Sequence, residues 1–569
     1  MNILSFRDGH NASATLYQDG QIIADIAEER LSRSKNDASF PFHSIKYCLD
    51  MGGIHMEDID IIALPSHDYP DFISHYFDVP DEVNVIQHSP ESSIKRDLLN
   101  SMKRKKGKAK RAPFPAYINQ YRLSPTCEIH LVNHHLAHAA SACFTSGSTE
   151  PALVITMDGR GDQVSSAVWW FDGRQIQMKK SYGQDSSLGY FYSCATEALM
   201  WMQSCDEWKV MGLAPYGKPQ PGQLEGLHPE FENGQLSKGL NFPTMHRFKE
   251  HGIVHYHCEH SKKLQPFVKN MGRENFAAEV QRVTEEQAMN FIKPLLEQYN
   301  TRRLYCSGGF FLNVKLNQKL WETGLLDHQW VYPEPGDAGL TMGATLYAAN
   351  IKEEPRQISL ETVYYGPEFS NEEIQLILDD RGLNYEFAEN VEEITASLLM
   401  DNHVLGWFQN KLESGPRALG NRSIIMSPLR AENKDILNGK IKFREAFRPF
   451  CPSILYESAS SYFENYRDEF FMTSAFKVRE EKRTKIPAVV HVDGTARPQL
   501  VKKENNPRYH TLIEEFGKLS GEDVIVNTSF NIKGEPIVCH PREAIRCFMD
   551  TGMDVLVLGN FILKKPHLK

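Results

Sequence analysis

A strand–turn–strand unit written twice in the first 180 residues constrains this chain more than any other feature. An apolar strand, Ile3 to Phe6, runs into Asp8-Gly9, and a second strand pattern ends at the Asp19-Gly20 turn before Ile22-Ile23. The same order returns at residues 153–157, Asp158-Gly159, Val168-Trp169, Asp172-Gly173 and Ile176. Two copies predict a duplicated α/β domain over residues 1–363, with halves of about 1–150 and 151–363 and a ligand cleft between them. Helical spacing at Phe276, Val280, Met289 and Phe291-Ile292 belongs to the second half. So does a strand at Leu304 to Cys306 that empties into Ser307-Gly308-Gly309, where glycines let backbone approach a ligand closely.

Near residue 355 the pattern changes. Glu353-Glu354-Pro355 ends a helix, Tyr365-Gly366-Pro367 reads as a connection, and Ser370 with Glu373 forms a capping box that opens a new helix. Short apolar strands then alternate with helical stretches, so a second α/β domain is expected over residues 364–569. Two domains suit 569 residues, more than one core usually organises. No apolar run nears the ~20 residues of a membrane span. The amino terminus reaches Arg7, Asp8 and His10 at once, unlike a secretory signal, so a cytoplasmic chain is expected. The ten cysteines form no CxxC pair, which argues against a disulfide framework and a thiolate zinc site. A net charge of −10 argues against nucleic acid, and the basic run at residues 95–111, with no aromatics interleaved, reads as a solvated insertion.

His134 and His138 lie four apart in NHHLAHAA, which on a helix aims two imidazoles at one metal. Asp158, at a strand end, and Asp337, in Gly336-Asp337-Ala338-Gly339, are the oxygen donors to add. That mixed set suits divalent iron, manganese or zinc. His135 faces elsewhere and reads as structural. His10 follows Asp8-Gly9 in the first repeat, at the position matching the Asp158 loop, where it could reach the cleft as a general base. The tract His255, His257, Cys258, His260 reads as a surface cluster.

Two further segments suit a nucleotide: Lys209 to Ala214, with Lys209 beside Gly212, and Gly308-Gly309 with Asn313. In the second domain, GPRALGNRS at 415–423 sets Arg417 and Arg422 among glycines. Lys442, Arg448 and Arg497 add cations, and Asn527 to Asn531 follow an apolar strand. Guanidinium forks, a lysine and polar strand ends together suit phosphate or carboxylate oxygens.

Taken in order, DGHNAS, EERLSRSK, NHHLAHAAS, MDGRGD, KVMGLAPYG, SGGFFLNVKLN, PGDAG, GPRALGNRS, RPFCPS, ARPQ, NPRYH and VNTSFN resemble the NodU/CmcH/TobZ-type O-carbamoyltransferase family over nearly the whole chain. The resemblance implies an actin-like (ASKHA, RNase H-like) first domain that transfers a carbamoyl group to an alcohol. It implies a YrdC-like second domain that makes carbamoyl-adenylate from carbamoyl phosphate and ATP with Mg2+. His134, His138, Asp158 and Asp337 would hold the metal, with Fe2+ favoured, and His10 would deprotonate the acceptor. Lys209, Gly212, Gly308, Gly309 and Asn313 would lie near the adenylate. Arg417, Arg422, Lys442, Arg448, Arg497, Asn527 and Asn531 would bind carbamoyl phosphate and ATP. The acceptor would be a hydroxylated small molecule such as a sugar, an antibiotic or another secondary metabolite. Rival readings are carbamoyl or threonylcarbamoyl transfer to a macromolecule such as transfer RNA, and a catalytically silent nucleotide-binding regulator.

Overall fold

The strand Asn2–Arg7 buries Ile3, Leu4, Ser5 and Phe6 in succession, which requires cover on both of its faces. In the computed structural model, which describes residues 1–66, 77–80, 82–88, 121–242, 246–250, 253–352 and 358–568, that cover is complete. The basic run 95–111 lies outside the described residues. The first sheet runs Gln21–Ala27, Ser13–Gln18, Asn2–Arg7, Ile61–Leu64, Glu128–Val132, Asn84–His88. Its first three strands form an antiparallel meander, and the rest pair in parallel.

The second sheet repeats this plan as Ile176–Tyr182, Val164–Phe171, Ala152–Gly161, Arg303–Ser307, His328–Val331. Again a three-strand meander is followed by two parallel strands. Asp19 and Gly20, both at positive φ, make the first tight turn, as the Asp-Gly pattern requires. The duplication read from the turns is thus a duplication of sheet order, with Asn84–His88 as an addition to the first copy.

Each half ends in a helix after its fifth strand: His134–Thr145 in the first, Leu340–Lys352 in the second. His134–Thr145 is alanine-rich and buried along its whole length. The two helices pack face to face, so closely that a Cβ on Gly343 would lie 1.9 Å from the carbonyl oxygen of Ala137. Only glycine permits that approach.

The third sheet is mixed and eight-stranded, running Glu386–Phe387, Phe561–Lys564, Val555–Leu558, Leu405–Phe408, Arg422–Met426, Val524–Ser529, Cys451–Leu455, Gln499–Val501. Leu405, Trp407 and Ile425 pack one face against Tyr509 and Phe516, while Phe408, Ile424 and Met426 pack the other against Phe530 and Phe548. The expected capping box is present: Glu373 N donates to Ser370 Oγ at 3.2 Å, Ser370 N to Glu373 Oε2 at 2.7 Å, and the helix Asn371–Asp380 follows. No helix among the described residues is long and apolar enough to cross a membrane.

Candidate functional site

The repeated strand ends and helix starts of the two halves converge on one point. Asn133 caps the buried helix through Leu136 N, so the first turn presents His134 and, one turn on, His138. Asp158 comes from the end of the first strand of the second half, and Asp337 from the turn before that half's closing helix. Asp158 Oδ2 lies 3.2 Å from His134 Nε2 and 3.4 Å from His138 Nε2; Asp337 Oδ1 lies 3.7 and 3.9 Å from the same nitrogens. All four ligand atoms fall within 4.8 Å of one another. His138 Nε2 is buried without a hydrogen bond. Burial disfavours the charge of Asp158, but the two imidazoles beside it outweigh that cost and hold the carboxyl well below its usual range. A buried imidazole nitrogen with no partner, facing two carboxylates, fits a divalent first-row ion.

A second layer fixes these donors. Arg7 Nη2 donates to Asp337 Oδ2 at 2.6 Å, His134 N donates to Asp162 Oδ2 at 2.8 Å, and His138 Nδ1 sits 3.3 Å from Ser307 Oγ. A Cβ at Gly161 would come within 2.2 Å of the His134 ring, so the glycine makes room for the ligand. His135 instead bonds Thr156 Oγ1 and the Val164 carbonyl, in keeping with a structural role.

Beside the cluster opens a cavity of about 390 Å³ whose wall includes His10, Asp158, Gly309, Asn313 and Asp337. Gly9 at φ 95° and Asn11 at φ 58° turn the chain so that His10 reaches that wall. Gly308 serves a different purpose from the one expected. A Cβ there would meet the Met157 carbonyl oxygen at 2.0 Å, so its close approach is to the neighbouring strand, while Gly309 faces the cavity. Asn313 caps the helix Val314–Glu322 and exchanges two hydrogen bonds with Gln281, which occupies its amide from both ends.

An adjoining cavity of about 680 Å³ is walled by the third sheet and by Lys209 and Gly212 of the first region. Its wall carries Arg417, Lys442, Arg444, Arg448, Arg497 and Asn527, with Asn531 alongside. Lys442 is buried with no carboxylate partner among the described residues. Its Nζ donates to the Ser529 carbonyl, to the Asn531 carbonyl at 2.9 Å and to Asn531 Oδ1 at 2.7 Å. Burial, then the charge of Arg444, pushes the Lys442 ammonium well below its usual value. Burial and the neighbouring Arg497 bring Arg417 down to about 9. Arg497 points two nitrogens at Cys451 Sγ, at 3.1 and 2.9 Å, and Arg448 stacks 3.5 Å over Trp208. Crowded cations with few acids suit anions.

Arg422 does not face this cavity. Its guanidinium donates to the carbonyls of Gln409, Asn410, Asn421 and Pro367 and lies 3.7 Å over Phe408. The tract at 255–260 also departs from its surface reading: Cys258 and His260 are buried, with His260 Nε2 on the Leu227 carbonyl and His257 on Glu197. Sequence reasoning missed Arg444, Arg7 and Glu413. Glu413 Oε1 gathers the backbone N–H groups of Leu419, Asn421 and Arg422 and so shapes the loop that carries Arg417. Arg7 meets Asp337 across 330 residues, a pairing that no local spacing marks.

The fold is α/β, with one cluster of imidazoles and carboxylates that suits a cation and one cavity of crowded cations that suits anions. A family model described as carbamoyltransferase N-terminus matches residues 3–346, and one described as carbamoyltransferase C-terminus matches residues 396–565. The chain belongs to the carbamoyltransferase family and is an enzyme of that class. It is 35% identical to nodulation protein NolNO of Sinorhizobium fredii over 98% of this chain and 79% of that protein. It is 34% identical to an uncharacterised protein of Synechocystis, sll1178, over 98% and 95%. Among solved structures, full-length HypF in its phosphate- and nucleotide-bound form aligns at 14% identity and a TM-score of 0.31, over 62% of this chain and 56% of that one.

Proposed function

We propose that this chain is an ATP-dependent O-carbamoyltransferase that works in two steps in adjoining cavities. In the cationic cavity of a YrdC-like domain, residues 364–569, water cleaves carbamoyl phosphate to phosphate and carbamate. The carbamate then attacks the α-phosphorus of Mg2+-bound ATP; pyrophosphate leaves and carbamoyl-adenylate remains. Arg417, Lys442, Arg448 and Arg497 stabilise the phosphate charge, with Asn527 and Asn531 orienting the ligands. Arg422, bonded to four carbonyls, supports the sheet rather than the ligand.

In an actin-like domain, residues 1–363, a hydroxyl of a small-molecule natural product or sugar attacks the carbamoyl carbon and AMP leaves. His10 takes the hydroxyl proton. Gly309 and Asn313 belong to the surroundings of the adenylate, Lys209 and Gly212 face it from the cationic cavity, and Gly308 serves the neighbouring strand instead. His134, His138, Asp158 and Asp337 would hold a divalent ion, Fe2+ by the family resemblance. When bound, such an ion supplies positive charge to oxygens of the reacting group. The repeated sheet order supports the actin-like assignment.

The observation that carries this reading is the common wall: Arg30, Trp208, Met211, Pro416 and Arg417 line both cavities. A labile mixed anhydride that crosses at this wall avoids bulk water. The test is incubation with ATP, carbamoyl phosphate and a panel of hydroxylated acceptors. Pyrophosphate release and a carbamoyl mass gain on one acceptor are expected; ATP left intact in the presence of carbamoyl phosphate would sink the proposal.

A further inference from the structure

The transferred group differs from an acetyl group in one chemical respect: it carries two N–H donors. A cavity that selects it must offer a hydrogen-bond acceptor that no protein donor has taken. Most carboxyls along the transfer cavity are engaged. Glu29 bonds Arg30 and Asn36 N, and Asp37 bonds Ser32 Oγ and Ser39 N. Glu207 accepts from Ser193 Oγ and Ser204 N, while Asp158 and Asp337 face the imidazoles and Arg7.

Glu334 differs. It is half-buried in the same wall, and its oxygens make no hydrogen bond or ion pair with any described residue. It sits where the two regions of the chain meet. Gly415, at φ 92°, passes so near that a Cβ there would be 3.1 Å from Glu334 Oε2. Arg30 Nη2 donates to the Gly415 carbonyl at 2.7 Å, and Pro416 and Arg417, next in the chain, face both cavities. A group that leaves the cationic cavity past Arg417 therefore meets Glu334 on entry.

We infer that Glu334 is the specificity-determining residue that accepts a hydrogen bond from the carbamoyl N–H and so selects carbamoyl over acyl groups that lack one. The inference rests on the adenylate reading above. Burial, with Asp25 and Glu29 adding to it against the opposing pull of Arg30, pushes this carboxyl up to about 8. A neutral acid keeps a carbonyl oxygen for the N–H without repelling the adenylate phosphate held by the arginines.

The experiment measures binding of two stable adenylate mimics, N-carbamoyl- and N-acetyl-sulfamoyl adenosine, to the full chain and to Glu334→Gln and Glu334→Leu by calorimetry. The wild type is expected to prefer the carbamoyl compound by roughly tenfold, the scale of one hydrogen bond. Gln, which keeps a carbonyl acceptor, should retain the preference. Leu should erase it while both compounds still bind, which also reports that the variant is folded. A preference intact in Glu334→Leu overturns this assignment alone. If neither mimic binds the wild type, the adenylate reading falls and the assignment falls with it.

Discussion

The two cavities share a wall but handle buried charge in opposite ways. Around His134 and His138, carboxylates face imidazoles, and Asp337, His134 and His138 are braced from behind by Arg7, Asp162 and Ser307. Around Lys442 and Arg497, like charges are crowded together, and the lysine rests on carbonyl oxygens and an amide. The first arrangement sets carboxylates against imidazoles, a balance that a small cation would suit. The second sets like charges side by side, a repulsion that an anion would relieve. Buried ionisable groups mark function in both, but the sign of the missing partner tells the two sites apart.

The comparison breaks most visibly if the two sites are not separable. His10→Ala should leave pyrophosphate release intact and lower transfer by roughly 10²–10⁴, the range for a lost general base. This is read as carbamoyl gain on an acceptor found in the panel. In the reverse sense, Arg497→Ala should cut pyrophosphate release by roughly 10²–10³ while the bound metal, counted by elemental analysis, stays the same. Loss of the same step in both variants would dissolve the division of labour.

Arg422→Met sharpens the boundary of the anion site. With the Gln409 and Asn410 carbonyls left unpaired it should cost about 3 kcal/mol of stability, seen in denaturant unfolding, yet leave phosphate affinity of the folded protein unchanged. A selective loss of phosphate binding would return Arg422 to the site. Arg7→Met should weaken metal retention by roughly 10–100-fold, as expected for a group that braces a ligand, with pyrophosphate release unaffected.

The smallest effect concerns Glu334. Its carboxyl titrates at about 8 in the folded chain against 4.5 as its ordinary value, so the folded state holds the proton longer. The associated stability is fully present below the lower value and is lost as pH rises through the upper one. The melting temperature of wild type should therefore fall relative to Glu334→Gln between about pH 5 and about pH 9. A constant difference would mean an ordinary, solvated carboxyl.

What was legible in the sequence was what is local. Asp-Gly turns, the four-residue spacing of His134 and His138, and the Ser370 capping box each depend on residues a few positions apart, and each is found in the structure. The third sheet was not legible in its order, because neighbours such as Leu405–Phe408 and Val555–Leu558 pair across some 150 residues with no local signature. Arginines were the other blind spot. Arg417 and Arg422 stand five apart in one motif, yet one faces the cavity and the other clasps backbone, a difference set by Glu413 and the sheet rather than by residue type. Glu334 gave no signal, since what sets it apart is the lack of a hydrogen-bond or ion-pair partner among the described residues.

The contact between Gly343 and the Ala137 carbonyl bears on how this enzyme can be recombined. The helix that carries both histidines touches its counterpart from the other half without room for a methyl group. A chimera that takes one half from a relative inherits an untested seam at this crossing, whatever the quality of the imported catalytic residues. Exchanging the segments 134–145 and 340–352 as a matched pair is thus the natural unit for building hybrids.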